Sequence, residues 1–315
     1  MNLTLAQRVA GALLGHAAGD ALGATTEFLR REEVRRRWPE GHRTITGGGS
    51  LGWRPGQGTD DTDLTWAVLD AYLDNGSGDT LIEGAADRML AWYQAGPRDI
   101  GGTTAAALSA YQAGRNPTTS GAAVADRAMA AGNGSVMRAL ATGFVRTDPA
   151  QRAAEARQLS AITHADRRCV DACVAYCDLV AHLLDGVEPL DAVTDIIEHG
   201  HVGVDVRQAL AAAADATLPA ERLDTSGYVL ATLQVAVWAV CQPGTLEDVL
   251  IQIVNLGGDA DTTGAVAGGL LGARHGSEAI PTRWVDRLEY RERIFTAVTP
   301  LVDLRARHDN RVNRS

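Results

Sequence analysis

The chain has 315 residues, of which 45% are hydrophobic and 22% charged, and its formal net charge is -10. This length and composition are typical of a globular protein with one large domain or two small ones. All 29 basic residues are arginines, which excludes a Schiff-base lysine, a pyridoxal-phosphate anchor and a P-loop lysine. The negative charge argues against general binding to nucleic acid or to an anionic membrane.

Apolar residues recur at three- and four-residue intervals along most of the chain, whereas the alternation typical of strands is nearly absent. We predict helices over residues 5–22, 63–73, 81–94, 103–113, 150–161, 167–185, 228–240, 246–255 and 262–275. No low-complexity linker or charge block separates these segments, so the sequence predicts a single all-α domain spanning residues 1–315.

Two of the predicted helices carry glycine every four residues, which creates a smooth stripe along each helix. The stripes consist of Gly11, Gly15, Gly19 and Gly23, and of Gly264, Gly268 and Gly272. A glycine inside a helix costs up to about 1 kcal/mol relative to alanine, and close helix packing can offset that cost. We therefore place both helices centrally. Residues 30–58 form the longest irregular segment, and either a functional loop or an idle surface excursion fits it.

Neither the cysteines nor the apolar segments indicate secretion or a membrane. Four cysteines are too few for the disulfide framework of a small secreted domain, and Cys169, Cys173 and Cys177 fit a buried helical stripe better than a metal site. The longest apolar stretch, 228–241, is shorter than the roughly 20 residues of a membrane span. We expect a cytoplasmic protein with no membrane partner.

Two segments share one pattern, in which a loop rich in carboxylates leads directly into an apolar helix. They are GTDDTDLTWAVL at 58–69 and GGDADTTGAVAGGLLGA at 257–273. Aspartate and threonine at a helix start are explained, taken singly, as capping residues. Capping requires only one side-chain oxygen, however, and each segment supplies two carboxylates in addition to hydroxyl groups.

The four carboxylates of these segments need a compensating charge if they lie together. Two carboxylates about 4 Å apart repel by roughly 1 kcal/mol in water and by roughly 4 kcal/mol at an effective dielectric constant of 20. Oxygen donors without neighbouring cysteine or histidine suit Mg²⁺ or Mn²⁺ rather than Zn²⁺. The adjacent Asp60 and Asp61, opposite Asp259 and Asp261, therefore predict a site for two divalent cations.

Six motifs in order make the sequence resemble the ADP-ribosylglycohydrolase family over nearly its whole length. They are GDALGATTEF at 19–28, WRPGQGTDDT at 53–62, RDIGGTT at 98–104, GNGSVMR at 132–138, ITHAD at 162–166 and GGDADTTGAVAGG at 257–269. The resemblance implies an all-helical fold with a central dinuclear Mg²⁺ or Mn²⁺ site that cleaves the bond between ADP-ribose and an acceptor.

The resemblance also implies roles for individual residues. The metal ligands would be Thr59, Asp60, Asp61, Asp259, Asp261 and Thr262. Glu27 would handle the attacking water, and Asp99 would act as an acid or base or grip the guanidinium of an arginine acceptor. The loop formed by Gly132, Asn133, Gly134 and Ser135 would hold the diphosphate and distal ribose, with His164 lining the same pocket.

Together these features predict a metal-dependent hydrolase that cleaves the N-glycosidic bond of ADP-ribosylarginine on a modified protein and releases ADP-ribose. One alternative is a hydrolase for another linkage, to serine, to a nucleobase or in O-acetyl-ADP-ribose. The other is a family member without catalytic activity that binds ADP-ribose or has a structural role.

Overall fold

A computed structural model describes residues 3–75, 78–125, 131–215 and 217–312, and within them the α-helix is the dominant element. Helices begin where the sequence supplies a suitable first turn: Thr4 caps the first helix through its side chain, and prolines occupy the first turn at Pro149 and Pro189. The α-helices are α1 Leu5–Gly23, α2 Arg31–Arg37, α3 Asp60–Asn75, α4 Asp79–Gln94, α5 Gly102–Gln112, α6 Pro117–Ser120, α7 Leu140–Val145, α8 Pro149–Ala161, α9 Arg167–Leu184, α10 Pro189–His199, α11 Val204–Ala213, α12 Val229–Cys241, α13 Leu246–Val254, α14 Ala260–His275, α15 Thr282–Val285 and α16 Arg291–Val312.

The predicted all-α class is confirmed, and each predicted helix is present with its ends shifted by at most three residues. The prediction missed seven further helices, α2, α6, α7, α10, α11, α15 and α16. Several of them are short, and α16 is rich in charged residues and contains Pro300, which obscures its periodicity. The proline at the start of α10 was a usable signal. In the part of the chain that the structure describes, no helix combines the length and apolar character needed to cross a bilayer.

Helices α1 and α14 lie centrally, as predicted, and the structure shows in addition that they pack antiparallel on each other along their glycine stripes. A Cβ atom added to Gly15 would lie 2.2 Å from the carbonyl oxygen of Gly268, and one added to Gly19 would lie 1.9 Å from that of Gly264. The two backbones are therefore in direct contact. This contact brings the end of α1, followed by Glu27, beside the start of α14, where Asp259 and Asp261 lie.

Apolar side chains of α9 and α12 pack around this central pair. Cys169, Cys173 and Cys177 are buried in α9 and form no disulfide, in agreement with the predicted packing stripe. Burial raises the pKa of the Cys173 thiol, so it remains protonated and serves as an apolar packing group.

The segment 30–58 begins with α2, whose Arg35, Arg36 and Arg37 are exposed, and continues without a helix up to α3. Its glycines 47, 48 and 49 all have positive φ angles, and Gly48 and Trp53 exchange two backbone hydrogen bonds of 2.7 and 2.8 Å. The segment is therefore an ordered structure that packs on other parts of the protein.

Candidate active site

A cleft of about 830 Å³ opens where the first turns of α3, α5 and α14 converge. The amino-terminal ends of helices carry partial positive charge and unpaired N–H groups, so they favour anionic groups nearby. Of the residues predicted for the site, the cleft is lined by Glu27, Asp60, Asp99, Gly132, Asn133, Gly134, His164, Asp259, Asp261 and Thr262. Thr59, Asp61 and Ser135 lie behind this lining and are buried.

Asp60, Asp61 and Asp261 bring carboxylate oxygens within 4.8 Å of one another. Asp61 Oδ2 accepts hydrogen bonds from the hydroxyl groups of Thr59, at 3.3 Å, and Thr262, at 3.2 Å. The other oxygen of Asp61 and Oδ1 of Asp261 are buried without a hydrogen-bond partner. Buried carboxylate oxygens that lack a donor fit a hard divalent cation, so the side chains present are suited to the predicted metal.

A second group of carboxylates contains Glu27, Asp99 and Asp261, again with oxygens within 4.8 Å. Asp261 thus belongs to both groups and lies between them. Burial, followed by the charges of Asp99, Asp259 and Asp60, raises the pKa of Glu27 to about 9. Its Oε2 atom is also buried without a partner. The oxygens of this second group are thus also close enough together to coordinate a cation, and Asp261 is common to both groups.

Asp259 does not cap α14, although it immediately precedes that helix. Its side chain makes no capping hydrogen bond and instead accepts one of 2.6 Å from the amide nitrogen of Asn133. Capping therefore does not explain this carboxylate. Its pKa is raised, with burial as the largest cause, and it stands between the acidic groups and the glycine-rich loop.

The loop 132–135 is only in part the anion cradle that the sequence suggests. The N–H of Asn133 donates to the carbonyl of Gly227 at 3.0 Å, so it is not free to bind a phosphate. The hydroxyl of Ser135 is turned away from the cleft and accepts a hydrogen bond from Cys173 Sγ at 3.4 Å. Gly132 and Gly134 face the cleft and leave room for a ligand.

His164 lies against the same loop as a neutral imidazole. Its Nδ1 is 2.8 Å from the hydroxyl of Thr163, and burial, followed by the charge of Arg138, lowers its pKa to about 3. A Cβ atom on Gly134 would approach His164 Cε1 to 2.8 Å. Glycine at this position therefore allows the loop and the imidazole to lie side by side.

Sequence reasoning missed Asp20, a buried residue of α1 that holds the start of α3. Its Oδ2 accepts hydrogen bonds from the backbone N–H groups of Thr59, at 3.0 Å, and Thr62, at 3.2 Å, and from the Thr62 hydroxyl. The signal was available, because an aspartate in the middle of an apolar, glycine-rich helix has to find donors.

The segment 30–58 contacts the two segments that carry the predicted site residues Glu27 and Asp99. Ser50 donates a hydrogen bond of 3.2 Å to the carbonyl of Glu27, and Arg98 donates one of 3.1 Å to the carbonyl of Leu51. The Arg98 guanidinium also lies 5.3 Å from the ring centroid of Trp53. None of the described residues 30–58 lines the cleft, and the loop contacts the site through the segments that carry Glu27 and Asp99.

A family model for ADP-ribosylglycohydrolases matches residues 1–311. The chain belongs to the ADP-ribosylglycohydrolase family. The ADP-ribosyl-dinitrogen reductase glycohydrolase of Rhodospirillum rubrum is 32% identical to it over 285 residues, which are 90% of this chain and 90% of that protein. The ADP-ribosylarginine hydrolase Tri1 of Serratia proteamaculans is 29% identical over 309 residues, 90% of this chain and 76% of the relative.

The fold of this ADP-ribosylglycohydrolase is also found in a solved structure. An ADP-ribosylglycohydrolase-related protein complex has a TM-score of 0.82 at 30% sequence identity, and the match covers 96% of this chain and 99% of that chain. Family and relatives together indicate a glycohydrolase that acts on linkages to ADP-ribose.

Proposed function

We propose that this protein hydrolyses the N-glycosidic bond between ADP-ribose and an arginine side chain of a modified protein. The observation that carries the proposal is the sharing of Asp261 by two carboxylate groups, one of which includes Glu27 and Asp99. The names of the relatives, which specify ADP-ribosylarginine or ADP-ribosylated dinitrogen reductase as substrate, support the arginine linkage.

The residues that would hold two Mg²⁺ or Mn²⁺ ions are Thr59, Asp60, Asp61, Asp259, Asp261 and Thr262. When bound, the ions would supply Lewis-acid chemistry, orienting the ribose hydroxyls and lowering the pKa of a water molecule. The unpartnered oxygens of Asp61 and Asp261 support this assignment, since each can accept a cation without losing a hydrogen bond.

Glu27 and Asp99 line the cleft, and their carboxyl groups lie close to that of Asp261. We assign Glu27 to the proton of the attacking water, because its carboxyl group lines the cleft beside Asp261 and its Oε2 atom has no hydrogen-bond partner within the fold. Asp99 is half-buried and lines the cleft, and an ionised carboxylate there can bind the guanidinium of the departing arginine.

ADP-ribose would extend from the carboxylates toward the glycine-rich loop. We propose that the backbone at Gly132 and Gly134 contacts the diphosphate, since glycine allows a ligand to approach the backbone closely. His164 borders the same part of the cleft and, being neutral, contributes hydrogen bonding and contact area rather than charge.

The direct test measures release of ADP-ribose from arginine-linked and serine-linked peptides, with and without a chelator. Asp60→Ala and Asp259→Ala should abolish turnover, because each removes a proposed ligand, while helical circular dichroism stays near that of the wild type. Asp303→Ala, which changes an exposed aspartate of α16, is the matched control and should retain activity.

Different outcomes of this assay separate the alternatives. Turnover of the serine-linked but not the arginine-linked peptide would show that the enzyme cleaves the serine linkage instead of the proposed arginine linkage. Tight ADP-ribose binding without turnover in Mg²⁺ or Mn²⁺ would indicate a binding protein. Full activity of either ligand variant, or activity that survives exhaustive chelation, would contradict the metal assignment.

A further inference from the structure

Phe28 has an unusual backbone conformation and an unusual environment for a large apolar residue. Its φ angle is 62°, and it is the one non-glycine residue with a positive φ among those the structure describes. Its side chain is also 60% exposed. A left-handed conformation is costly for a bulky residue, and exposure of an aromatic ring gives the fold no compensating burial.

Two backbone hydrogen bonds hold Phe28 in place. Its N–H donates to the carbonyl of Gly258 at 2.8 Å, and the N–H of Gly258 donates to the carbonyl of Leu29 at 2.9 Å. Gly258 immediately precedes Asp259, so the position of Phe28 is fixed by the segment that carries two of the proposed ligands. The backbone of Phe28 is therefore held in its strained conformation by the segment that leads into Asp259, at a position that lines the cleft.

Phe28 lines the cleft together with several carboxylate residues. Among the described residues that line this cleft, Phe28 is the only phenylalanine, tyrosine or tryptophan, and it shares the lining with Glu27 and Asp99. The Glu27 side chain is 3% exposed, and its Oε2 has no partner. An aromatic face next to carboxylates is a favourable environment for a cation, and a planar guanidinium can stack on the ring while it binds a carboxylate.

We propose that the Phe28 ring stacks on the guanidinium of the arginine acceptor and makes the enzyme selective for arginine-linked over hydroxyl-linked ADP-ribose. The inference rests on the proposed function, because the arginine linkage is what supplies a cation at this position. Phe28 is then a specificity-determining residue that contacts the leaving group.

The test compares Phe28→Leu, Phe28→Tyr and the wild type on an ADP-ribosylarginine peptide. Leucine keeps an apolar side chain but lacks a π face, so kcat/KM should fall by about 2- to 30-fold. Tyrosine keeps the ring and should stay within about twofold of the wild type. The inhibition constant of free ADP-ribose, which has no leaving group, should change by less than about twofold in both variants.

Phe295→Leu provides the matched control, because Phe295 is 46% exposed on α16 and does not line the cleft. It should leave both measurements unchanged. Unchanged turnover in Phe28→Leu, or a loss of ADP-ribose inhibition as large as the loss of turnover, would overturn the proposal while leaving the proposed function intact. A wild-type enzyme that releases ADP-ribose only from serine would refute the proposed function, and the role of Phe28 with it.

Discussion

The buried side chain of Arg138 connects the glycine-rich loop with the segment that carries His164, at the end of the cleft where we propose that ADP-ribose binds. Its guanidinium donates to the carbonyl of Gly134, to the carbonyl of Leu159 at 3.2 Å and to the hydroxyl of Thr163 at 2.7 Å. Burial lowers its pKa to about 10, so it remains charged at neutral pH. Thr163 in turn contacts His164, which links the glycine-rich loop to the imidazole.

Replacing Arg138 should therefore weaken ligand binding through the loop. Arg138→Met leaves buried carbonyl oxygens without donors, and we expect it to lower the free energy of unfolding by about 1–3 kcal/mol. It should also raise the Kd for ADP-ribose by at least about tenfold, because Gly134 is no longer anchored. Arg138→Lys, which keeps the charge but cannot reach all three acceptors, should be intermediate.

Thermal denaturation and calorimetric titration with ADP-ribose measure the two effects separately. A folded Arg138→Met protein that binds ADP-ribose as tightly as the wild type would contradict the role we give this residue. If Arg138→Lys and Arg138→Met change stability and ADP-ribose affinity equally, the several hydrogen bonds of the guanidinium matter and the positive charge does not.

At the scale of elements, the start of α3 depends on a carboxylate from α1. Asp20 accepts from two backbone N–H groups and one hydroxyl group there, which is the work usually done by a capping residue within the helix. Asp60 and Asp61 lie in this first turn. The position of two proposed metal ligands is thus determined by a residue 40 positions earlier.

We expect Asp20→Ala to lower the free energy of unfolding by about 1–3 kcal/mol, because buried N–H groups lose their acceptor. Its activity should require a higher Mn²⁺ concentration for half-maximal turnover. Asp20→Asn keeps an acceptor oxygen and should lie nearer to the wild type in both properties. A metal requirement that is the same in the alanine variant and the wild type would show that α3 is held by other contacts.

The close contact between α1 and α14 predicts how glycine-to-alanine substitutions change the stability of the protein. A methyl group on Gly15 would collide with the backbone of Gly268, which cannot move aside like a flexible side chain. Gly15→Ala should cost about 1–3 kcal/mol or more in unfolding free energy. Gly102→Ala is the matched control, because a Cβ there meets nothing within 4 Å, and its stability should stay the same or increase. Similar unfolding curves for both variants would contradict this explanation.

The sequence predicted the helices and their central pair better than it predicted the directions of individual side chains. The helix periods, the glycine stripes and the two acidic segments are local patterns, and they correctly indicated a central helix pair and an acidic cleft. The direction of a side chain is set by residues far away in the chain. The sequence signalled that Asp20 needs hydrogen-bond donors, but it could not show that they lie in α3. The hydrogen bond from Asn133 to Gly227 and the direction of the Ser135 hydroxyl, away from the cleft, had no local signal.

For the molecule as a whole, the clustered carboxylates link stability to pH and to metal. In the unfolded chain these groups lose their protons near pH 4, whereas burial raises the pKa of Asp20 to about 7 and that of Glu27 to about 9. Between these pH values the folded state without metal binds more protons than the unfolded state. Its stability must therefore fall as the pH rises.

We expect the melting temperature of the protein in the presence of a chelator to decrease from pH 5.5 to pH 8.5, because the buried carboxyl groups with raised pKa values lose their protons in this range. Mn²⁺ should reverse the trend, because a cation replaces the protons and binds best to ionised carboxylates. Differential scanning calorimetry at several pH values, with chelator and with Mn²⁺, measures both effects. A chelated protein that becomes more stable across this range would contradict the proposed clustering of charge.

The direct backbone contact between α1 and α14 has a consequence for how this enzyme fails on heating. No side chain lies between the two helices at their glycines, so rotamer changes cannot absorb a shift of one against the other. Glu27 follows the end of α1 and Asp259 precedes the start of α14, so each lies next to one helix of this pair. Peptide groups along it should be among the slowest to exchange with deuterated solvent, and catalysis and tertiary structure should disappear in the same transition.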